Sequence, residues 1–301
     1  MSEQLMKQYV GQQTEKKFRG HDKLYSKRMP RVPVSPEREY IRAVNDYMKI
    51  IREVMQEELP SIKQAYMEEM HRADALDTHF DAMTSLTSIV HRIFERMELL
   101  ILEKEKSYGL RKIIEDIANL NGKLSVKEWK NTIRATLGID ITEDYYMGDF
   151  FKKALGDWVG ENVDLITTIP HDTLGKMKEI VLECYHKGTT TTSLMKQLQE
   201  EYGVSKRHSR LIARDQIAKL NAQITKAQQQ DAGVEEYIWW CVNDGRSRQT
   251  HKDLHKKECR WDTPQEVAPG RYCHPGEDYQ CRCFARPIFK RHSISVPIKE
   301  K

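Results

Sequence analysis

Five of the six cysteines in this 301-residue chain, Cys241, Cys259, Cys273, Cys281 and Cys283, fall within 43 residues, with His251, His255 and His274 among them. In a reducing compartment, thiols clustered with imidazoles point to a bound metal in place of a disulfide framework. Cys281-Arg282-Cys283 is the most informative part. Residues two apart in an extended segment point to the same side, so two thiolates can reach one ion. The expected ligand set is His251, Cys259, Cys281 and Cys283, with His255, Cys273 and His274 as rivals for the first two places. A structural zinc there would supply folding free energy to a segment too poor in aliphatic residues to rest on its own core. The metal-free alternative pairs His251 with Asp244 in a turn and leaves the thiols simply buried.

Other residues invite catalytic readings. Asp244, His251 and His255 could hold a divalent ion with Arg246 facing a phosphate, as in a metal-dependent nuclease, although the sequence supplies no separate general base. Gln199-Glu200-Glu201 offers a Q-x-E for ADP-ribosyl transfer, but at the end of an amphipathic helix and not in a strand-loop. Arg214-Asp215 falls mid-helix, where an Arg–carboxylate contact to a neighbouring module is expected. Trp239 and Trp240 read as core and not as a base-stacking platform, since no basic side chains bracket them in the sequence.

The elements that must position these residues are mostly helical. Tyr40, Val44, Tyr47, Ile51, Val54 and Met55 recur at spacings of three and four, which predicts a helix over 37–58 that stops before Pro60. Further helices are expected over 61–75, 78–107, 110–121 and 126–136, the last opened by Ser125 and Glu128 as a capping box. A helix over 142–169 should close at Pro170, and another from Asp172 to His186 should stop at Gly188. Thr189–Thr192 supply N-caps for a helix to Gly203, and a long one from Ser205 ends with Gly233 as its C-terminal glycine. After Gly233, Glu236–Val242 reads as a strand buried on both faces. The fold class is therefore mainly α, with elongated helical regions followed by a small mixed α/β Cys/His-rich C-terminal module. The boundaries run 1–36 for a basic flexible arm, 37–136 and 137–233 for two helical regions, 234–290 for the module, and 291–301 for a basic tail.

Charged residues make up 31% of the chain and mean hydropathy is −0.71, the balance of helices with solvated faces. No stretch approaches the 18 to 20 or so apolar residues that span a bilayer, and residues 1–40 lack the apolar core of a signal peptide, so no membrane association is expected. Residues 1–35 hold eight Lys/Arg against Glu3, Glu15 and Asp22, and residues 282–301 hold six against Glu300, each a net of +5. The stretch between them carries −6. Basic ends on an acidic body suit phosphates or an acidic protein surface, with Lys16, Lys17, Arg19, Lys27, Arg28 and Arg31 as the residues of contact.

One family resemblance emerges from these residues. Trp158-Val159-Gly160-Glu161-Asn162, Leu165-Ile166, Ile169-Pro170 and Ile212-Ala213-Arg214-Asp215-Gln216 are followed in order by Gly233, Tyr237, Trp239, Asp244, Arg246, His251, Pro275-Gly276 and Cys281-Arg282-Cys283. Together they resemble the phage minor head proteins of the Mu F-like head-morphogenesis family over about residues 150–290. Related chains often carry Cys-x-x-Cys where this one has Arg248 and His251. The resemblance implies a non-enzymatic minor capsid protein that enters the procapsid in few copies. It would associate with the portal and with major capsid or scaffolding protein, and assist head assembly and DNA packaging or ejection, with no small-molecule substrate. Its expected places are the host bacterial cytoplasm during assembly and then the interior of procapsid and virion. The rival to that reading is a plain DNA-binding adaptor or the metal-dependent nuclease.

Overall fold

In the computed structural model, which describes residues 3–29, 33–76, 79–142 and 149–298, the long helical repeats fold as continuous helices. They are α1 (Glu3–Phe18), α2 (Val34–Leu76), α3 (His79–Tyr108), α4 (Leu110–Leu137), α5 (Asp149–His186) and α6 (Thr191–Asp231). The strands are β1 (Lys23–Tyr25), β2 (Glu236–Trp240), β3 (Glu258–Arg260), β4 (Gln265–Ala268), β5 (Arg271–Cys273) and β6 (Phe284–Lys290), with a short helix α7 (Gln249–Asp253) after β2. The chain is mainly helical with a small C-terminal sheet region, as its hydrophobic periodicity requires.

The expected stops at Pro60, Pro170 and Gly203 do not end helices. Pro60 lies inside α2, Pro170 inside α5, and Gly203 inside α6. Proline removes one backbone hydrogen bond, but the apolar stripe continues on both sides. In α2 that stripe runs from Val54 and Met55 to Ile62 and Tyr66, all buried. In the same way Ser125 sits mid-helix in α4 and its hydroxyl bonds Asn221 Oδ1 at 3.1 Å, so it caps nothing. The ends at His186 and before Gly233 stand where expected. Gly233 takes φ +74 and Val234 N donates to Gln229 O at 2.8 Å, closing α6 as a C-terminal glycine does.

Two compact units result, and they cross the expected boundaries. One comprises Glu39–Ile114 and Val159–Ala213, the other Met1–Arg38, Glu115–Trp158 and Arg214–Lys301. In the first, aromatic hydroxyls tie buried faces to backbone and amide groups: Tyr40 to Asn162 Oδ1 at 2.6 Å, Tyr66 to Thr189 O at 2.6 Å, and Tyr202 to Met48 O at 3.2 Å. Such bonds satisfy polar atoms that the core would otherwise strand.

The second unit holds a four-stranded antiparallel sheet in the order β1-β6-β2-β3, and a two-stranded ribbon of β4 and β5. β6 pairs with β1 through Leu24↔Phe289 and with β2 through Ile238↔Arg286. Among the described residues, both basic ends are therefore built into the fold. Residues 3–18 form α1 and 23–25 form an edge strand, because Val10, Phe18 and Leu24 pack into a core with Ile294 and Val296 of the C-terminal segment. β2 alternates half-buried and buried residues, so only the Tyr237/Trp239 face is core, against the expectation of burial on both faces. On the other face, Lys256 and Arg286 lie about the Trp240 ring at 6.0 and 5.8 Å, so that ring is bracketed by basic side chains after all.

Candidate metal centre

His251, Cys281 and Cys283 converge in the second unit, all buried. Their ligand atoms lie within 4.8 Å of one another. α7 presents His251, whose Nδ1 stands 3.4 Å from the sulfurs of both Cys281 and Cys283. The two thiols lie just before β6, with their sulfurs in the same group, as the Cys-x-Cys spacing implies. A tetrahedral zinc with ordinary Zn–N and Zn–S bonds sets an N···S edge of about 3.5 Å. The cluster therefore has spacing and soft donors that could hold a metal ion.

The surroundings favour the ligating form at one sulfur, Cys281, whose negative charge in turn raises His251. Cys281 is held down to about 5, chiefly by the neighbouring Cys283 thiol, then by His251 and the backbone N–H groups of Cys283 and Gly276, against the opposing effect of burial. Cys283 is pushed up by the adjacent Cys281, so without a metal the pair holds one proton between them. The fully buried Trp239 indole N–H has no hydrogen-bond partner among the described residues, yet lies near enough to Cys283 to favour its thiolate. A second thiolate would satisfy that donor.

His251 is oriented from its far side. Its Nε2 stands 3.1 Å from Asp278 Oδ2, and Arg248 and Arg271 pair with the same buried carboxylate at 2.9 and 3.4 Å. An imidazole that donates one N–H to a carboxylate presents the other nitrogen, fixed in tautomer, to a metal. Asp278 was not legible as part of the site. Its signal, an acidic residue three before the Cys-x-Cys, is too common to single out.

Of the expected ligands, Cys259 does not join the group. It lies on β3 opposite Tyr237, and its thiol faces Lys257 O at 3.7 Å. Edge pairing with β2 fixes its side chain in the Tyr237 row of the core, and burial pushes its thiol up. The rivals are engaged elsewhere as well. His255 Nδ1 accepts from Cys241 N at 3.2 Å, His274 Nδ1 meets the Tyr237 hydroxyl at 2.9 Å, and burial raises Cys273 to about 12.

The nuclease constellation is not assembled among the described residues, because the group that includes His251 contains neither Asp244 nor His255. Asp244 is bidentate to Arg282, whose Nη1 lies 2.7 Å from Oδ2, and its Oδ1 accepts from Arg246 N at 3.0 Å. That pairing also disposes of the His251–Asp244 turn. Arg246 itself is exposed, with its guanidinium 3.7 Å from Asp244. Arg214 pairs with Glu37 at 3.3 Å and not with the C-terminal module, whereas buried Asp215 does reach that module, accepting from Gln280 N while Lys219 holds its other oxygen at 2.6 Å. Gln229 adds a second link, accepting from Trp261 Nε1 at 3.1 Å and donating to Ala285 O at 2.9 Å. Helix α6 is thus the wall against which the loops of the Cys/His group are set.

The basic contact residues separate into two kinds. Arg28 is paired with Glu128 at 3.2 Å, while Lys16, Lys17, Arg19 and Lys27 are exposed. Arg31 lies outside the described residues. Much of the remaining terminal charge is spent within the unit: Lys23 on Glu236 and Glu258 at 2.7 and 2.9 Å, Lys290 on Glu236 at 2.7 Å, and Arg291 on Glu15.

The chain is 26% identical over 202 residues to an uncharacterized protein of Haemophilus influenzae, a match covering 65% of this chain and 44% of that protein. It thus spans less than half the length of the curated relative it matches. No solved structure matches it. Residues 176–286 match the family model described as Phage Mu protein F like protein. That span includes α6, Asp215, His251, Asp278 and the Cys281/Cys283 pair, so the resemblance read from the sequence is borne out there: this chain carries a Phage Mu protein F like region.

Proposed function

We propose that this protein is a phage minor capsid protein of head morphogenesis, present in few copies inside the procapsid and virion after synthesis in the host cytoplasm. The observation that carries the reading is the Mu F-like match over 176–286, which coincides with the α6 wall and the Cys/His centre set against it. Its role is structural, not catalytic. Asp244, His251 and His255 each have a partner that serves packing or metal ligation, so the nuclease alternative has no assembled site to support it.

His251, Cys281 and Cys283 would hold a zinc ion. The metal would supply crosslinking free energy to loops with little aliphatic core. The partners are the portal protein and the major capsid or scaffolding protein. Phage DNA is a further partner, met by the exposed Lys16, Lys17, Arg19 and Lys27. Contacts of that kind release counterions, so DNA affinity should fall steeply with salt.

Deleting the gene from the phage tests the reading. Infectious particles or their DNA delivery should drop while capsid shells still form, and mass spectrometry should find the chain in purified procapsids. Its absence from both procapsids and virions would overturn the assignment.

A further inference from the structure

Three ligands converge where a structural zinc takes four. We propose that Cys241 is the fourth, so that the centre is a three-cysteine, one-histidine site of Cys241, His251, Cys281 and Cys283; the proposal rests on the metal reading above.

The ladder between β2 and β6 carries the argument. Trp239 pairs with Ala285 and Trp240 with Phe284, so the next position along the same register sets Cys241 opposite Cys283. Directly opposed residues of an antiparallel pair have Cβ atoms about 4.5–5.5 Å apart and share a face. Here that face is the one Trp239 and Ala285 turn to the cysteine-rich core, and Cys241 is 2% exposed.

Local hydrogen bonding repeats the pattern of a known member of the cluster. Asn243 N donates to Cys241 Sγ at 3.4 Å, just as Cys283 N donates to Cys281 Sγ at 3.4 Å. In both, a backbone N–H two residues on is aimed back at the sulfur. Asn243 adopts φ +58 beyond β2, a left-handed conformation that asparagine tolerates better than most residues. Cys259 and His274, by contrast, face partners away from the group, and His255 Nδ1 is occupied in accepting from the Cys241 backbone N–H. The Cys241 sulfur stands outside the three-atom group, and moving between staggered χ1 wells carries a thiol sulfur through about 2.8 Å, a displacement that metal binding can recruit.

The test is cobalt(II) substitution of the full chain, read by thiolate-to-cobalt charge-transfer absorption. The wild type should give a tetrahedral spectrum with three thiolates. Cys241→Ser should lose about one third of the charge-transfer intensity, whereas Cys259→Ser and Cys273→Ser should keep all of it. Cys241→His should retain the metal with a two-thiolate spectrum, and it serves as the readout if Cys241→Ser does not fold. Full intensity in a folded Cys241→Ser, or loss in Cys259→Ser or Cys273→Ser instead, would overturn the proposal while leaving a metal centre. A folded wild type that binds neither cobalt nor zinc would overturn the metal reading and the proposal with it.

Discussion

The second unit contains two cores of different chemistry. One gathers Val10 and Phe18 of α1, Val126, Trp129, Ile133 and Leu137 of α4, Phe289 of β6, and Ile294 and Val296 beyond it, with Trp129 stacked on Phe289 at 6.1 Å. The other holds Cys241, Cys259, Cys273, Cys281 and Cys283 with Tyr237, Trp239 and Trp261, and its aliphatic members among the described residues are Leu254, Val267 and Ala285. Apolar burial stabilises the first at roughly 25 cal/mol per Å². The second has little aliphatic surface to bury and instead concentrates donors and sulfurs whose value depends on geometry. One is a core by area, the other a core of sulfurs and rings that could ligate a metal, so they should fail under different stresses.

The largest effect should come from removing the metal. Structural zinc contributes on the order of 10 kcal/mol in finger peptides, so chelation or Cys281→Ser should make residues 241–283 protease-sensitive while the helical circular dichroism persists. An unchanged digestion pattern would merge the two cores into one class. Acid should act at the same place. The Cys281 thiol is lowered from 9.0 to about 5 in the folded chain, so its stabilisation is complete above its ordinary range and fades as pH falls through about 5. Protons compete with a metal for the same sulfurs, so bound zinc should be released as the pH is lowered, as a colorimetric chelator would register.

Next in size, Ile133→Ala should cost about 2–5 kcal/mol in urea unfolding, by the same amount with and without zinc. A zinc-dependent cost would show that the cores are coupled. Asp278→Asn should weaken zinc affinity about 10- to 100-fold, because His251 loses the carboxylate that orients it, and should leave the Trp129 core untouched. Smallest of all, Arg28→Ala removes a half-exposed pair with Glu128 and should shift stability by about 1 kcal/mol or less.

Helices were legible because their spacing of three and four is written in the chain, as in Tyr40, Val44 and Tyr47. Their ends were legible at Gly233, where a left-handed residue is needed, and illegible at Pro60 and Pro170, where packing on both sides outweighs one lost hydrogen bond. In the site, His251 and the Cys-x-Cys could be read from type and spacing. Asp278 and the exclusion of Cys259 could not, since the first approaches from behind the imidazole and the second is set by strand pairing.

Charge shows the same division. Composition alone established that both ends are basic, that the middle is acidic, and that no long apolar span occurs. Only the folded chain decided that Lys23, Arg28, Lys290 and Arg291 pair with its own carboxylates while Lys16, Lys17, Arg19 and Lys27 remain exposed. The sequence by itself determines residue type, local periodicity and the short-range geometry of a Cys-x-Cys. Which distant groups share a site depends on register between strands 30 or more residues apart, as in Tyr237 against Pro287, and that is settled only when the whole sheet closes.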